Sequence, residues 1–184
     1  MKISREQALA NRERVVAKAS ELFRAQGFDG VGVAELMRAA GFTHGGFYNH
    51  FPTKEALAAE ALTRAFAQMA EVRAATPDFA QVVAGYLSEA SRKAPARSCP
   101  AAALGGDAAR QPGPVREAFA AGIEGMIESF AAHLEGPDAR ARAIVLLAKM
   151  AGGLMLARAV PDGPLADELL GAVLADALED LAPR

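Results

Sequence analysis

Apolar positions recur at helical spacing from the start of the chain. Leu9, Val15, Val16, Ala19, Leu22 and Phe23 fall near one face of a helix over residues 5–26, and Gly27 is placed to end it. A short helix over residues 33–40 follows, closed by Gly41. Thr43 can cap a third over residues 44–51, stopped by Pro52, and Thr53 can cap a fourth over residues 54–75. The elements then lengthen. Thr76-Pro77 reads as the cap and first residue of a helix to about Lys93. Further helices are expected from Pro100 to about residue 111, over residues 114–134 and 137–159, and, after a Pro/Gly-rich turn, to about Leu181. No strand-like alternation persists. The pattern predicts an all-α chain of about nine helices, with a three-helix head (residues 1–52) and a helical body (residues 53–184).

Residues 33–51 carry the most specific signal. Leu36, Ala40, Phe42, Phe47 and Phe51 can lock two short helices at a steep angle, and Gly41 permits the sharp turn between them. This is a helix-turn-helix whose second helix is sized for a DNA major groove. Its polar residues Thr43, His44, Tyr48, Asn49 and His50 point away from the locking face, and Lys54 follows at the next helix start. Free N–H groups at a helix start suit a phosphate. Gly45 and Gly46 each cost about 1 kcal/mol against alanine inside a helix. Their placement makes sense where the backbone must approach DNA closely.

The run from Gly41 to Leu57, with the preceding Leu22-Phe23 and Gly27-Phe28, resembles the recognition signature of TetR-family regulators across about residues 12–60. The resemblance implies a DNA-binding head, a variable ligand-binding body and dimerisation through the last two helices. By matched position it implies DNA contacts at Thr43, His44, Gly45, Gly46, Tyr48, His50 and Lys54; Asn49 joins them on its exposure alone. Met37 departs from the pattern, standing where a small alanine is usual, and its flexibility suits it to fit.

Charge adds a weak hint. Residues 1–24 carry a local +3 from Lys2, Arg5, Arg12, Arg14, Lys18 and Arg24 against three glutamates, whereas residues 61–184 carry −3. A basic end on an acidic body suits DNA steering. The overall charge of −2 excludes a bulk polycation. The N-terminus has no apolar signal region, no stretch is long enough to span a bilayer, and the expected location is the cytoplasm. No metal cluster or phosphate loop appears, and no cofactor is expected.

In the body, the helix over residues 137–159 is apolar on more than one face, and Gly152-Gly153 would let a partner helix come close. With the last helix it offers Leu147, Leu154, Leu170, Leu174 and Leu178 for a homodimer interface of four helices; alternatively these residues fill a monomer core. Phe66, Met69, Tyr86, Met126 and Phe130 are candidates to line an effector pocket, or ordinary core. Cys99, the one cysteine, precedes Pro100 and would sit at a helix N-cap near Arg97. Both neighbours lower a thiol pKa. The stretch from Cys99 onward also resembles TetR-family members with a cysteine opening the sixth helix, some of which respond to oxidants or electrophiles. The bland reading is a small buried residue filling a gap.

The function expected is that of a DNA-binding transcriptional repressor, released from a palindromic operator by a small ligand or by modification of Cys99. The alternative is a helical protein-interaction module. A thiol enzyme finds no support, because His44 and His50 sit in the head and His133 lacks a matching acid.

Overall fold

The computed structural model describes residues 4–181. Helix α1 (Arg5–Gln26) is capped by Ser4, whose hydroxyl accepts from the Gln7 N–H at 3.1 Å. It buries Val15, Val16, Ala19 and Phe23, the stripe expected from spacing. It ends at Gly27, whose φ of 79° lies where L side chains are strained. Helix α2 (Val33–Ala39) packs across it, and Gly41 turns the chain with φ 84°. The next element, His44–Asn49, is a 3₁₀ helix rather than the expected α-helix. Two adjacent glycines and a β-extended Thr43 give little support to a longer α-helical run.

Helix α3 (Lys54–Ala74) starts at Thr53, whose hydroxyl accepts from the Ala56 N–H at 3.1 Å. It buries Leu57, Ala58, Ala61 and Leu62 beside α1 and runs on into the body, where it packs along α7 (Gly113–Ala131). One continuous stiff element therefore links the first 52 residues to the rest.

The helix expected over residues 76–93 is two helices. Asp78, not Thr76, caps α4 (Phe79–Tyr86), accepting from the Ala80 N–H at 2.9 Å. Ser88 then caps α5 (Glu89–Lys93), accepting from the Ser91 N–H at 3.1 Å while donating to the Gly85 carbonyl at 2.8 Å. That hydroxyl offers the backbone an alternative to the continuing helical ladder, which breaks there. A 3₁₀ turn at Pro95–Arg97 leads into α6 (Pro100–Ala108).

Helices α8 (Ala139–Ala159) and α9 (Pro164–Glu179) form a pair against α7 and α4. Gly153 faces α9: a Cβ there would lie 2.8 Å from Val173. The expected close helix approach thus occurs at Gly153 inside the protomer. Lys149 adds an ion pair to Asp176 and Asp180 across the same seam. Among the described residues there is no strand, and no helix is long and apolar enough to cross a membrane.

Candidate functional site

Phe47 is fully buried and stacks near Phe51 at 5.7 Å between ring centroids. The two rings anchor the 3₁₀ segment on the core of α1 and α2 and fix which way its other side chains point. Thr43, His44, Tyr48 and Asn49 are exposed, and Gly45 lies among them. Tyr48 is 67% exposed and rests its ring edge-on against Phe47 at 5.2 Å. Thr43 holds the N-cap position without using its side chain as a cap, so its hydroxyl remains available to a partner. His50 is half-buried beside Phe51, and Lys54 is half-buried as the first residue of α3. One surface therefore combines hydroxyl, imidazole, amide, phenol and ammonium groups.

The two glycines differ. A Cβ on Gly46 would meet Met37 Cε at 3.6 Å, an ordinary contact, so the large residue on α2 fills the space beneath a residue without a side chain. Gly45 has open space within 4 Å and no positive φ. Gly45→Ala should leave the fold as stable or up to about 1 kcal/mol more so, while weakening DNA binding. Melting and DNA titration of the variant check this; a variant that binds DNA unchanged removes the close-approach explanation.

The N-terminal basic cluster is mostly spent inside the protein. Arg12 pairs with Glu60 and lies over the Phe51 ring. Arg14 donates to the Ala40 carbonyl at 3.1 Å and lies over Phe42. Lys18 pairs with Glu21, and Arg24 is buried. Arg5 stays exposed, while Lys2 lies outside the described residues. The local +3 counted along the sequence is therefore a structural network more than a steering patch.

Residues 15–61 match the family described as bacterial regulatory proteins, tetR family. That N-terminal segment carries the signature of the tetR family. It is 32% identical over 71 residues to the HTH-type transcriptional repressor DhaR of Mycobacterium sp. (strain GP1), covering 39% of this chain and 36% of that protein. It is 33% identical over 86 residues to the HTH-type transcriptional regulator LmrA of Bacillus subtilis (strain 168), covering 44% of this chain and 46% of that one. The matches thus span less than half the length of these curated relatives. Over the whole fold it resembles the crystal structure of a TetR transcriptional regulator from Chloroflexus aurantiacus J-10-FL, with a TM-score of 0.73, 26% identity, and coverage of 95% of this chain and 98% of that one.

Within the helical body lies a cavity of about 300 Å³. Of the six residues singled out in the sequence, Met69, Tyr86, Cys99, Met126 and Phe130 line it. Phe66 does not. Its ring packs on Phe119 and occupies the space a Cβ on Gly122 would need, so it belongs to the α3–α7 contact. Periodicity gave no sign of Arg73 and Ser98, which also line the cavity. Ser98 ties the wall to the rest of the molecule. Its carbonyl accepts from Arg24 of α1 at 3.0 Å, and its hydroxyl accepts from Arg158 of α8.

Cys99 does hold the N-cap position of α6, but it is buried, with Sγ 3.7 Å from Met126 Sδ. The expected lowering of its pKa is reversed. Burial pushes the thiol up, outweighing the Tyr86 hydroxyl, the Ala101 and Ala102 N–H groups and Arg73, which pull it down. The nearby cation that acts on it is Arg73, not its sequence neighbour Arg97. At pH 7 the thiol is protonated and closed off. Iodoacetamide should therefore label the native chain at least about tenfold more slowly than the urea-unfolded chain; equal rates would contradict this.

The five leucines expected at an interface differ in burial. Leu147, Leu154 and Leu170 are buried within the protomer, Leu174 is half-buried, and Leu178 is exposed. With Leu178, the outward apolar residues of α8 and α9 are Ile144, Val145, Met155, Leu156 and Leu165. In sequence α8 is apolar on more than one face, and its packing decides which side faces in.

Proposed function

We propose that the chain is a homodimeric transcriptional repressor that binds a palindromic operator and is released by a small ligand in the α3–α7 body cavity. The head reads DNA through Thr43, His44, Gly45, Gly46, Tyr48, Asn49, His50 and Lys54. Phosphate contacts from Thr43, Tyr48 and Lys54 fix its register, and His44 and Asn49 face the base edges. With few side chains on the 3₁₀ segment, the shape of the DNA contributes as well. The outward apolar faces of α8 and α9 join two protomers, and a two-fold dimer matches an inverted repeat.

The observation that carries the release mechanism is the Arg24–Ser98 hydrogen bond. Arg24 sits on a helix that frames the DNA-binding head, and Ser98 lies in the cavity wall. Arg24 also holds the Ser20 carbonyl and Gln68 on α3, so the wall, α1 and α3 meet at one guanidinium. A ligand that prefers a shifted wall favours a shifted head. The two recognition segments then leave their spacing of about one DNA turn, roughly 34 Å. Burial and a raised pKa make Cys99 a poor thiolate, which favours ligand occupancy over thiol modification as the trigger.

The test is a fluorescence-anisotropy titration with DNA flanking the protein's own coding region and with a shuffled copy, over a range of salt. The expected result is tight, salt-sensitive binding to the first and much weaker binding to the second. Equal, weak binding to both would contradict a repressor acting at its own locus.

A further inference from the structure

The cavity is cationic and has no acid in its wall. Arg73 and Arg97 line it, and none of its lining residues is Asp or Glu. Arg73 is half-buried, and burial lowers its pKa. Its one hydrogen bond among the described residues runs from Nε to Ser129 Oγ at 3.4 Å. Its two terminal nitrogens, the fork that receives a carboxylate, are left over. Arg158 stands behind the wall, donating to the Ser91 carbonyl at 2.6 Å and to Ser98, with Nη1 buried and unpartnered. It too forms no ion pair among the described residues.

Tyr86 gives the second, independent sign. Part of its ring is open, but its hydroxyl oxygen is shut off from solvent and meets the Cys99 thiol, a weak partner that falls short of full hydrogen-bond geometry. The hydroxyl lies beside the Cys99 thiol, within reach of the charges of Arg158 and Arg73. Leaving a buried hydroxyl unmatched costs about 1–3 kcal/mol. Such a cost is expected where a ligand supplies the missing partner. Much of the remaining lining is apolar: Met69, Val72, Met126, Phe130 and Leu154.

Resting on the effector reading above, we propose that the ligand is a small organic carboxylate. Its oxygens lie on the Arg73 fork and the Tyr86 hydroxyl, and its aryl or alkyl body lies against Met69, Met126, Phe130 and Leu154. A carboxylate accepts from both groups, supplies the negative charge that the wall lacks, and replaces water in contact with the apolar side. A neutral molecule of the same shape leaves the guanidinium unpaired, and a cation is repelled.

The test uses the full chain, with phenylacetate, 4-phenylbutyrate and octanoate as probes, each against its primary amide, by calorimetry at pH 7. The amide keeps the shape and removes the charge. At least one acid should bind once per chain, at least tenfold more tightly than its amide. Arg73→Gln should abolish that preference and Arg73→Lys should retain part of it. Tyr86→Phe should weaken acid binding severalfold without lowering the melting temperature of the free protein, which checks that folding is intact. Three results would each overturn the proposal: no acid binds, acids and amides bind equally, or Arg73→Gln binds the acids unchanged. DNA binding is read in parallel. Acids that bind without releasing DNA would leave the ligand class standing and remove the release reading. Specific DNA binding with no acid bound would do the reverse.

Discussion

Replacing Val145 and Leu156 together by aspartate should yield a folded monomer whose affinity for operator DNA is at least about a hundredfold lower. Val145 is 58% and Leu156 51% exposed, both on the outward side of α8, while the inward side is held by Leu146, Leu147, Met150 and Leu154. Neither side chain fills the protomer core, so helical content should persist. Burying a large aliphatic side chain in a dimer contributes about 1.5–3 kcal/mol. The double variant removes four such contributions from a two-fold interface and buries four carboxylates in their place, a further cost. The DNA penalty comes from losing the second head, since two linked heads bind far more tightly than one. Light scattering after gel filtration, circular dichroism and a DNA titration check the three parts. A variant that stays dimeric would move the interface elsewhere on the surface.

Tyr48→Ala should weaken specific DNA binding by roughly a hundredfold or more and leave stability within about 0.5 kcal/mol. The ring is exposed and leans on Phe47, which stays buried against the core without it. A hydrogen bond to a charged group contributes about 1.5–3 kcal/mol, and a dimer loses two. Because the phenol is neutral, the salt dependence should keep its slope. Lys54→Ala, by contrast, should flatten it, since each lost cation–phosphate contact lowers counterion release. Anisotropy titrations at several salt concentrations separate the two. A Tyr48→Ala protein that binds normally would make this residue a surface packing group.

Most of the fold was legible because its signals are local. Glycines at 27 and 41, threonine at 53 and the apolar spacing of α1 mark helix ends and faces without reference to distant residues. The break at Leu87-Ser88 was missed because a serine can either tolerate a helix or compete with it, and tertiary context decides. Five of the six candidates line the cavity, four of them bulky residues on the inward faces of α3, α4 and α7, which must meet somewhere. Arg24, Arg73 and Arg158 were missed. A charged residue reads as solvated unless its distant partners, here Ser98, Ser129 and Ser91, are known. The same limit reversed the reading of Cys99. Its helix-end position was correct, but burial depends on Met126 and Tyr86, far along the chain. For α8, apolar residues on more than one face left the inward side undecided until Gly153 was seen against Val173.

The most direct test is selection of binding sites from a random DNA library by the full chain, followed by sequencing. The account predicts an enriched inverted repeat whose half-sites are centred about one helical turn apart, roughly 10 base pairs, or a multiple of that. Enrichment of a single unpaired half-site, or of no sequence at all, would contradict a two-headed reader of DNA.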